Sequence, residues 1–271
     1  MNLEELESHF RFGENWQSYA RTISAKHIRH AVAGLRELLL DGCTGETFLD
    51  IGCGSGIHSL AACMLGAEVS AVDIDPASVS ATHSVLTSHG FSTVVPQQIS
   101  VFDLDPASFG QFDIVYSWGV LHHSGDMWRA VSKAADLVRP GGRLVLALYD
   151  KTPFCGLWRL EKAWYSKATE VRQRQARAAF VTLFRLKCLL TGRSFSKSVA
   201  GYDSYRGMDY YHDLHDWMGG YPYQSARPLE VQGFLQARGF AQEVFLPSGV
   251  RIGLFGSGCS QYTFRRRRKD N

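Results

Sequence analysis

No stretch of the 271 residues approaches the ~18 consecutive apolar residues that span a bilayer, so no membrane-crossing segment is expected. The opening Met1-Asn2-Leu3-Glu4-Glu5-Leu6-Glu7 is acidic and lacks the basic and apolar regions of a secretory leader, which predicts a cytoplasmic protein. The six cysteines (Cys43, Cys53, Cys63, Cys155, Cys188 and Cys259) contain no C-x-x-C pair. That argues against a disulfide or zinc framework and predicts reduced thiols. An excess of charge is also missing from most of the chain. There are 29 basic and 26 acidic residues, but Arg265 to Lys269 hold five of the former and Asp270 one of the latter, leaving 24 against 25 elsewhere. Residues 265–271 therefore read as a solvated basic tail. With no appended RNA-binding motif, RNA is an unlikely partner.

What the chain does have is a turn of alternating glycines. In Thr47-Phe48-Leu49-Asp50-Ile51-Gly52-Cys53-Gly54-Ser55-Gly56 an apolar run ends in an acid and then a glycine-rich loop. Phe48, Leu49 and Ile51 suit a buried parallel strand, while the glycines allow positive φ and close approach of a ligand to the backbone. Residues 57–65 have helical character, so backbone N–H groups at a helix start would receive polar or anionic ligand groups. The spacing is G-x-G-x-G. The dinucleotide fingerprint G-x-G-x-x-G is absent, which argues against NAD. A second strand through Val69, Ala71 and Val72 ends at Asp73-Ile74-Asp75-Pro76, where a carboxylate can hold a ribose diol.

These two motifs, followed by Phe112-Asp113-Ile114-Val115-Tyr116-Ser117 leading into Gly119-Val120-Leu121-His122-His123, resemble the class I S-adenosylmethionine-dependent methyltransferases. The resemblance covers roughly residues 45–150. It implies an α/β fold, a Rossmann-like, doubly wound, mostly parallel seven-stranded sheet, with S-adenosylmethionine as cofactor and a small-molecule methyl acceptor. Similarity to quinone-biosynthesis and natural-product methyltransferases is general and does not identify that acceptor. By the same resemblance, Asp50 and Gly52 lie near the methionyl part of the cofactor, and Gly54, Ser55 and Gly56 are further cofactor-binding positions. Asp73 accepts the ribose hydroxyls, Ile74 beside it is also a cofactor-binding position, and the backbone of Ser117 or Trp118 helps hold the amino group. Asp103 is the expected adenine contact, with Ser100 and Val101 as the other register. RNA methylation and a regulatory cofactor-binding protein without transfer activity are the alternative functions.

The chain divides at 1–44, 45–150, 151–227, 228–264 and 265–271. In the first segment Ile28, Val32, Leu35 and Leu39 share a helical face behind a Ser24 cap. Phe12-Gly13-Glu14-Asn15-Trp16 ahead of it reads as an aromatic and polar loop able to close over a ligand, with Trp16 as a substrate contact. Residues 45–150 alternate strands and helices. Helices are predicted over 76–89 and 126–139, the latter closed by Pro140-Gly141-Gly142, and strands near 94–101, 112–117 and 143–149. Residues 151–227 break the pattern and, as the resemblance implies, form a cap insertion over the substrate site. Within it, 157–190 is helical in tone, with Ala176, Phe180, Leu183 and Phe184 on one face and only Glu161 and Glu170 as acids. A helix to residue 238 and strands near 242–246 and 253–264 complete the core.

Open α/β sheets bind ligands outside the carboxyl ends of their strands. Methyl transfer to an oxygen or nitrogen also releases a proton, for which histidine, with a pKa of ~6.5, is the natural base. His122 and His123 follow the fourth strand. In the cap, Tyr210-Tyr211-His212-Asp213-Leu214-His215-Asp216-Trp217 would place His212, His215 and Asp216 on one helical face beside aromatics suited to a planar acceptor. The candidate catalytic residues are thus His122, His123, His212 and His215. Trp16, Tyr210, Tyr211, Asp216 and Trp217 are the candidate acceptor contacts. No metal is expected, because methyl transfer needs none.

Overall fold

Phe48 and Leu49 are both fully buried, yet as neighbours in a strand they must face opposite sides of it, and that alternation sorts the core into two layers. The computed structural model describes residues 12–200, 210–249 and 258–268. From β1 (Thr47–Ile51), Phe48 packs with Ile114, Tyr116 and Val145 against Leu35 and Leu38 of α2 (Ala25–Leu38) and Ala61 of α3 (Ile57–Met64). Leu49 and Ile51 pack on the other side with Val115, Leu144 and Leu146. There they meet Val131 of α6 (Met127–Asp136) and Val231 of α11 (Pro228–Gln236). Each such side chain contributes roughly 1.5–3 kcal/mol by leaving water.

The remaining elements are α1 (Phe12–Ala20), β2 (Glu68–Asp73), α4 (Pro76–Ser88), β3 (Gln97–Gln98), α5 (Pro106–Phe109), β4 (Phe112–Trp118) and β5 (Val138–Tyr149). After them come α7 (Cys155–Lys167), α8 (Glu170–Leu190), α9 (Phe195–Ala200), α10 (Tyr210–Gly219), β6 (Phe240–Leu246) and β7 (Cys259–Arg266). The strands form one seven-stranded sheet of order β3-β2-β1-β4-β5-β7-β6, parallel from β3 to β5, with β7 antiparallel to both β5 and β6. The doubly wound sheet expected from the sequence is therefore present. Its order reverses between β1 and β4, and the crevice at their carboxyl ends is where such sheets bind ligands.

Several boundaries differ from the sequence reading. Residues 12–20 are helix, not loop: Gly13 N–H donates to Asp75 Oδ2 (2.9 Å) and Asn15 Nδ2 to the His212 carbonyl (3.2 Å). The strand expected over 94–101 shrinks to two residues, because it is the sheet edge and begins behind Pro96, which has no N–H to donate. The helix after Asp126 stops at Asp136, and Pro140-Gly141-Gly142 lies inside β5. Gly142 is needed there, since a Cβ would come within 2.7 Å of the Asp113 carbonyl oxygen.

In the insertion, the helical stretch breaks between Lys167 and Glu170. Ala176, Phe180 and Phe184 pack inward, but Leu183 is 66% exposed. The first two residues of the basic tail are strand: Arg265 pairs with Asp41 (2.8 Å) and Glu243, and Arg266 donates to the Val138 carbonyl. The start of the last predicted strand, 253–257, lies outside the described residues.

Candidate active site

The glycine turn leaves β1 with its first two N–H groups, Gly52 and Cys53, donating to the Val72 carbonyl at the end of β2 (2.8 and 3.1 Å). Gly52 has φ +78°, and a Cβ there would strike the Val120 side chain at 2.5 Å; Gly56 has φ +82°, and a Cβ would lie 2.8 Å from Thr82 Cα. Both positions therefore exclude side chains, by conformation and by contact. Thr82 Oγ1 donates to the Gly54 carbonyl (3.1 Å) and ties the turn to α4. Trp16 lies over Gly54, its indole 3.4 Å from where a Cβ would sit. The helix that replaces the expected loop is thus the roof of the glycine turn.

Two carboxylates flank this turn. Asp73 Oδ2 accepts from Gly54 N–H (3.0 Å) and Oδ1 from Asp75 N–H (2.9 Å). Each carboxylate oxygen has a second lone pair, so further donors such as ribose hydroxyls can be accepted. Asp50, 1% exposed beneath the turn, accepts from Ser59 Oγ (2.6 Å). Burial pushes Asp50 up to about 7 and Asp73 up to about 6 from an ordinary 3.8, each opposed by its hydrogen bonds.

A folded pKa above the unfolded one means the native state holds protons that the unfolded chain has lost. The stability these groups contribute is full below about 4 and is lost as pH rises through 6–7. Asp50→Asn removes one such group. The Tm of the unliganded parent, relative to that of Asp50→Asn, should therefore fall between about pH 4 and pH 7. A difference that stays constant over that range would contradict the assignment.

The turn opens into a cavity of about 410 Å³, within the usual range of ~300–1,000 Å³ for small-molecule sites. Of the candidate cofactor residues, Gly52, Gly54, Ser55, Asp73, Ile74 and Trp118 line it. Asp50 and Gly56 act from behind, the one under the turn and the other at the start of α3. Ser117 is fully buried, its Oγ donating to the Ile51 carbonyl (2.9 Å), and so joins the ends of β1 and β4. At the third strand end the lining consists of Ile99, Ser100 and Val101; Asp103 is exposed and outside it. Of the two registers, it is Ser100 and Val101 that line the cavity.

Of the four candidate histidines, only His123 lines the cavity. Its Nδ1 is 2.8 Å from the Pro222 carbonyl, and Gly220 packs against its Cε1 and Nε2 edge. His122 is 0% exposed and stacks on Tyr149 (4.0 Å between ring centres). His212 Nε2 meets Ser18 Oγ (3.1 Å) on α1. His215 Nδ1 is 2.8 Å from the Tyr165 hydroxyl and from Arg177 Nη1, and burial followed by the Arg177 charge lowers it to about 4.

Among the expected acceptor contacts, Trp16 and Asp216 line the cavity. Tyr210 and Trp217 are buried in the aromatic cluster of the insertion, and Tyr211 is exposed. The sequence reading missed Asp213, three residues before Asp216, and also His58 and Gln261. His58 lies between Tyr116 and Trp118 (5.3 and 5.6 Å), and burial lowers it to about 4, so it is neutral at neutral pH. Trp118 Nε1 donates to Gln261 Oε1 (2.9 Å), joining β4 to β7.

This geometry defines an α/β domain whose glycine turn and Asp73 face one crevice. Residues 49–144 match the family described as a methyltransferase domain. Over 112 residues the chain is 36% identical to a ubiquinone biosynthesis O-methyltransferase of Xanthomonas oryzae pv. oryzae (strain PXO99A), covering 40% of this chain and 45% of that protein. Its counterpart in Xanthomonas campestris pv. campestris (strain B100) is 37% identical over 111 residues, with the same coverage. The chain thus spans less than half the length of the curated relatives it matches.

Among solved structures it is similar to magnesium protoporphyrin IX methyltransferase from Synechocystis PCC 6803 with bound SAH (TM-score 0.53, 16% identity, covering 89% of this chain and 83% of that one). It is likewise similar to the N-methyltransferase NodS from Bradyrhizobium japonicum WM9 in complex with S-adenosyl-L-homocysteine (TM-score 0.53, 13% identity, 94% and 98%). Residues 49–144 are thus similar to a methyltransferase domain, and the fold is the one these solved methyltransferase structures share.

Proposed function

We propose that the chain binds S-adenosylmethionine in this crevice and transfers its methyl group to an oxygen or nitrogen atom of a small molecule. The observation that carries the reading is the pairing of a side-chain-excluding glycine turn with Asp73 at the next strand end, both facing one cavity. When bound, the cofactor supplies an electrophilic methyl on a sulfonium sulfur. Asp73 would accept the ribose hydroxyls, Ser100 and Val101 would flank the adenine, and Trp16 on α1 would cover the turn. The buried Asp50 would favour the cationic methionyl end, because a positive charge nearby restores its ionised form.

The acceptor side is aromatic, with Trp118, Tyr149 and His58, and carries Asp213 and Asp216. No arginine or lysine lines the cavity among the described residues. A carboxylate or phosphate acceptor would meet no fixed cation there, so the lining favours a neutral or amine-bearing aromatic molecule. Asp216 would orient the reacting N–H or O–H and take its proton. Enclosure by α1 and α10 would keep water from the reacting atoms. The six free cysteines fit a reducing compartment, which supports a cytoplasmic location.

Calorimetric titration tests the cofactor assignment. S-adenosylmethionine and its demethylated product should bind and NAD should not; the reverse pattern would end the proposal. Asp73→Ala should cost about 1.5–3 kcal/mol of affinity, a rise in Kd of about 10- to 150-fold, with Asp73→Asn at the lower end. The acceptor can be found by incubating metabolite extracts with methyl-labelled cofactor and identifying labelled products by mass. Cofactor binding without any labelled product would instead favour a regulatory protein.

A further inference from the structure

We propose that the outer face of α8 is a docking surface for an anionic lipid bilayer. The inner face of this helix is satisfied: Ala176, Phe180 and Phe184 pack on the insertion's aromatic cluster, and Cys188 is 3% exposed. From Leu183 to Leu190 the opposite face is apolar too, yet open. Leu183, Leu186, Leu189 and Leu190 are 66, 50, 77 and 77% exposed. At 100° per residue these four leucines span an arc of about 120°. Single exposed leucines need no explanation, but four on one face of a helix whose other face already supplies the core do.

The charges around the arc identify its occupant. Arg185 and Lys187 sit about 40° beyond its two edges, both exposed. Arg193 and Lys197, also exposed, continue past the helix end. From 157 to 197 the only acids are Glu161 and Glu170, and Glu170 is paired with Arg174 (2.9 Å) at the far end of α8. Leucines bracketed by long basic side chains are the pattern of a helix lying in a lipid interface, apolar arc inward and cations at the headgroups. A second copy meeting this face about a two-fold axis would set the same cations against each other. Among the described residues no helix is long and apolar enough to cross a membrane, so the contact is peripheral. Because α8 lies in the insertion that also provides α10 and Asp216, docking would hold the acceptor side near the bilayer. The docking itself does not depend on the methyl-transfer reading.

Flotation of the full chain with vesicles tests the proposal. The chain should bind phosphatidylcholine vesicles that contain phosphatidylglycerol, bind pure phosphatidylcholine weakly or not at all, and be released by salt. Leu186→Glu with Leu190→Glu, and separately Arg185→Glu with Lys187→Glu, should each reduce partitioning by about tenfold or more. All four positions are exposed, so circular dichroism and cofactor titration should be unchanged. Three results would overturn the proposal. They are no binding by the parent chain, binding indifferent to both double variants, and a concentration-dependent dimer abolished by the leucine variant without any vesicle binding.

Discussion

Lys162→Met should lower the stability of the chain by about 3–5 kcal/mol, a fall in Tm on the order of 10 °C. Lys162 is 0% exposed, and its Nζ donates to the Trp217 carbonyl. The ammonium lies 3.8 Å from the Trp217 ring centre and 5.4 Å from that of Tyr223. Burial lowers its pKa, and the negative charges of Glu161, Asp216 and Asp213 act against that. Methionine matches the stem but leaves those carboxylates without their cation and the carbonyl without its donor, and it is this loss that is costly. The complementary change separates the effect from simple packing. Asp213→Asn in the Lys162→Met background should recover part of the loss, a coupling that a double-mutant cycle reads directly. Additive losses in that cycle would show that the charges are not coupled. Thermal or denaturant unfolding followed by circular dichroism gives all four corners.

The parts of the site that could be read in the sequence are those whose chemistry is local. Gly52, Gly54 and Gly56 follow one another within five residues, and Asp73 ends the next strand, so neither needs distant partners to be recognised. The roof over the turn was legible only as residue types. Phe12 to Trp16 contains two glycine-like turn signals in Gly13 and Asn15, but Gly13 is fixed by Asp75 and Asn15 by His212, 62 and 197 positions away. These long-range contacts hold as helix what composition presented as loop. The same limit applies to α10. Helical periodicity correctly placed His212, His215 and Asp216 on a helix, but a period does not say which arc meets the cavity. Asp213 and Asp216 turn toward it, while His212 goes to α1 and His215 to Tyr165 and Arg177. Two acids three residues apart amid aromatics were the available signal for the acceptor side. In the tail, five consecutive cations looked solvated because Asp41 and Glu243, which hold Arg265, are remote in sequence.

Asp216→Asn should lower turnover by about 10²–10⁴ while leaving cofactor affinity within a few-fold, and His212→Ala and His215→Ala should each stay within a few-fold in turnover. Asp216 lines the cavity on the acceptor side, where a carboxylate can accept the hydrogen of an N–H or O–H and then its proton. Asparagine keeps the shape and one acceptor but cannot take the proton. For an acceptor that ionises at high pH the deficit should therefore shrink as pH rises, because the nucleophile then forms unaided. His212 and His215 are committed to Ser18 on α1 and to Tyr165 with Arg177, so replacing them should lower Tm more than rate. His123 lies between these cases. It lines the cavity, but its Nδ1 meets the Pro222 carbonyl and its other edge packs on Gly220, so His123→Ala should raise the acceptor's KM more than it lowers kcat. Steady-state kinetics with the labelled-methyl assay across pH, on all four variants, distinguishes the roles. A near-normal Asp216→Asn alongside a crippled His123→Ala would move the base to the histidine. Near-normal turnover in every variant would leave alignment and exclusion of water as the whole of the catalysis.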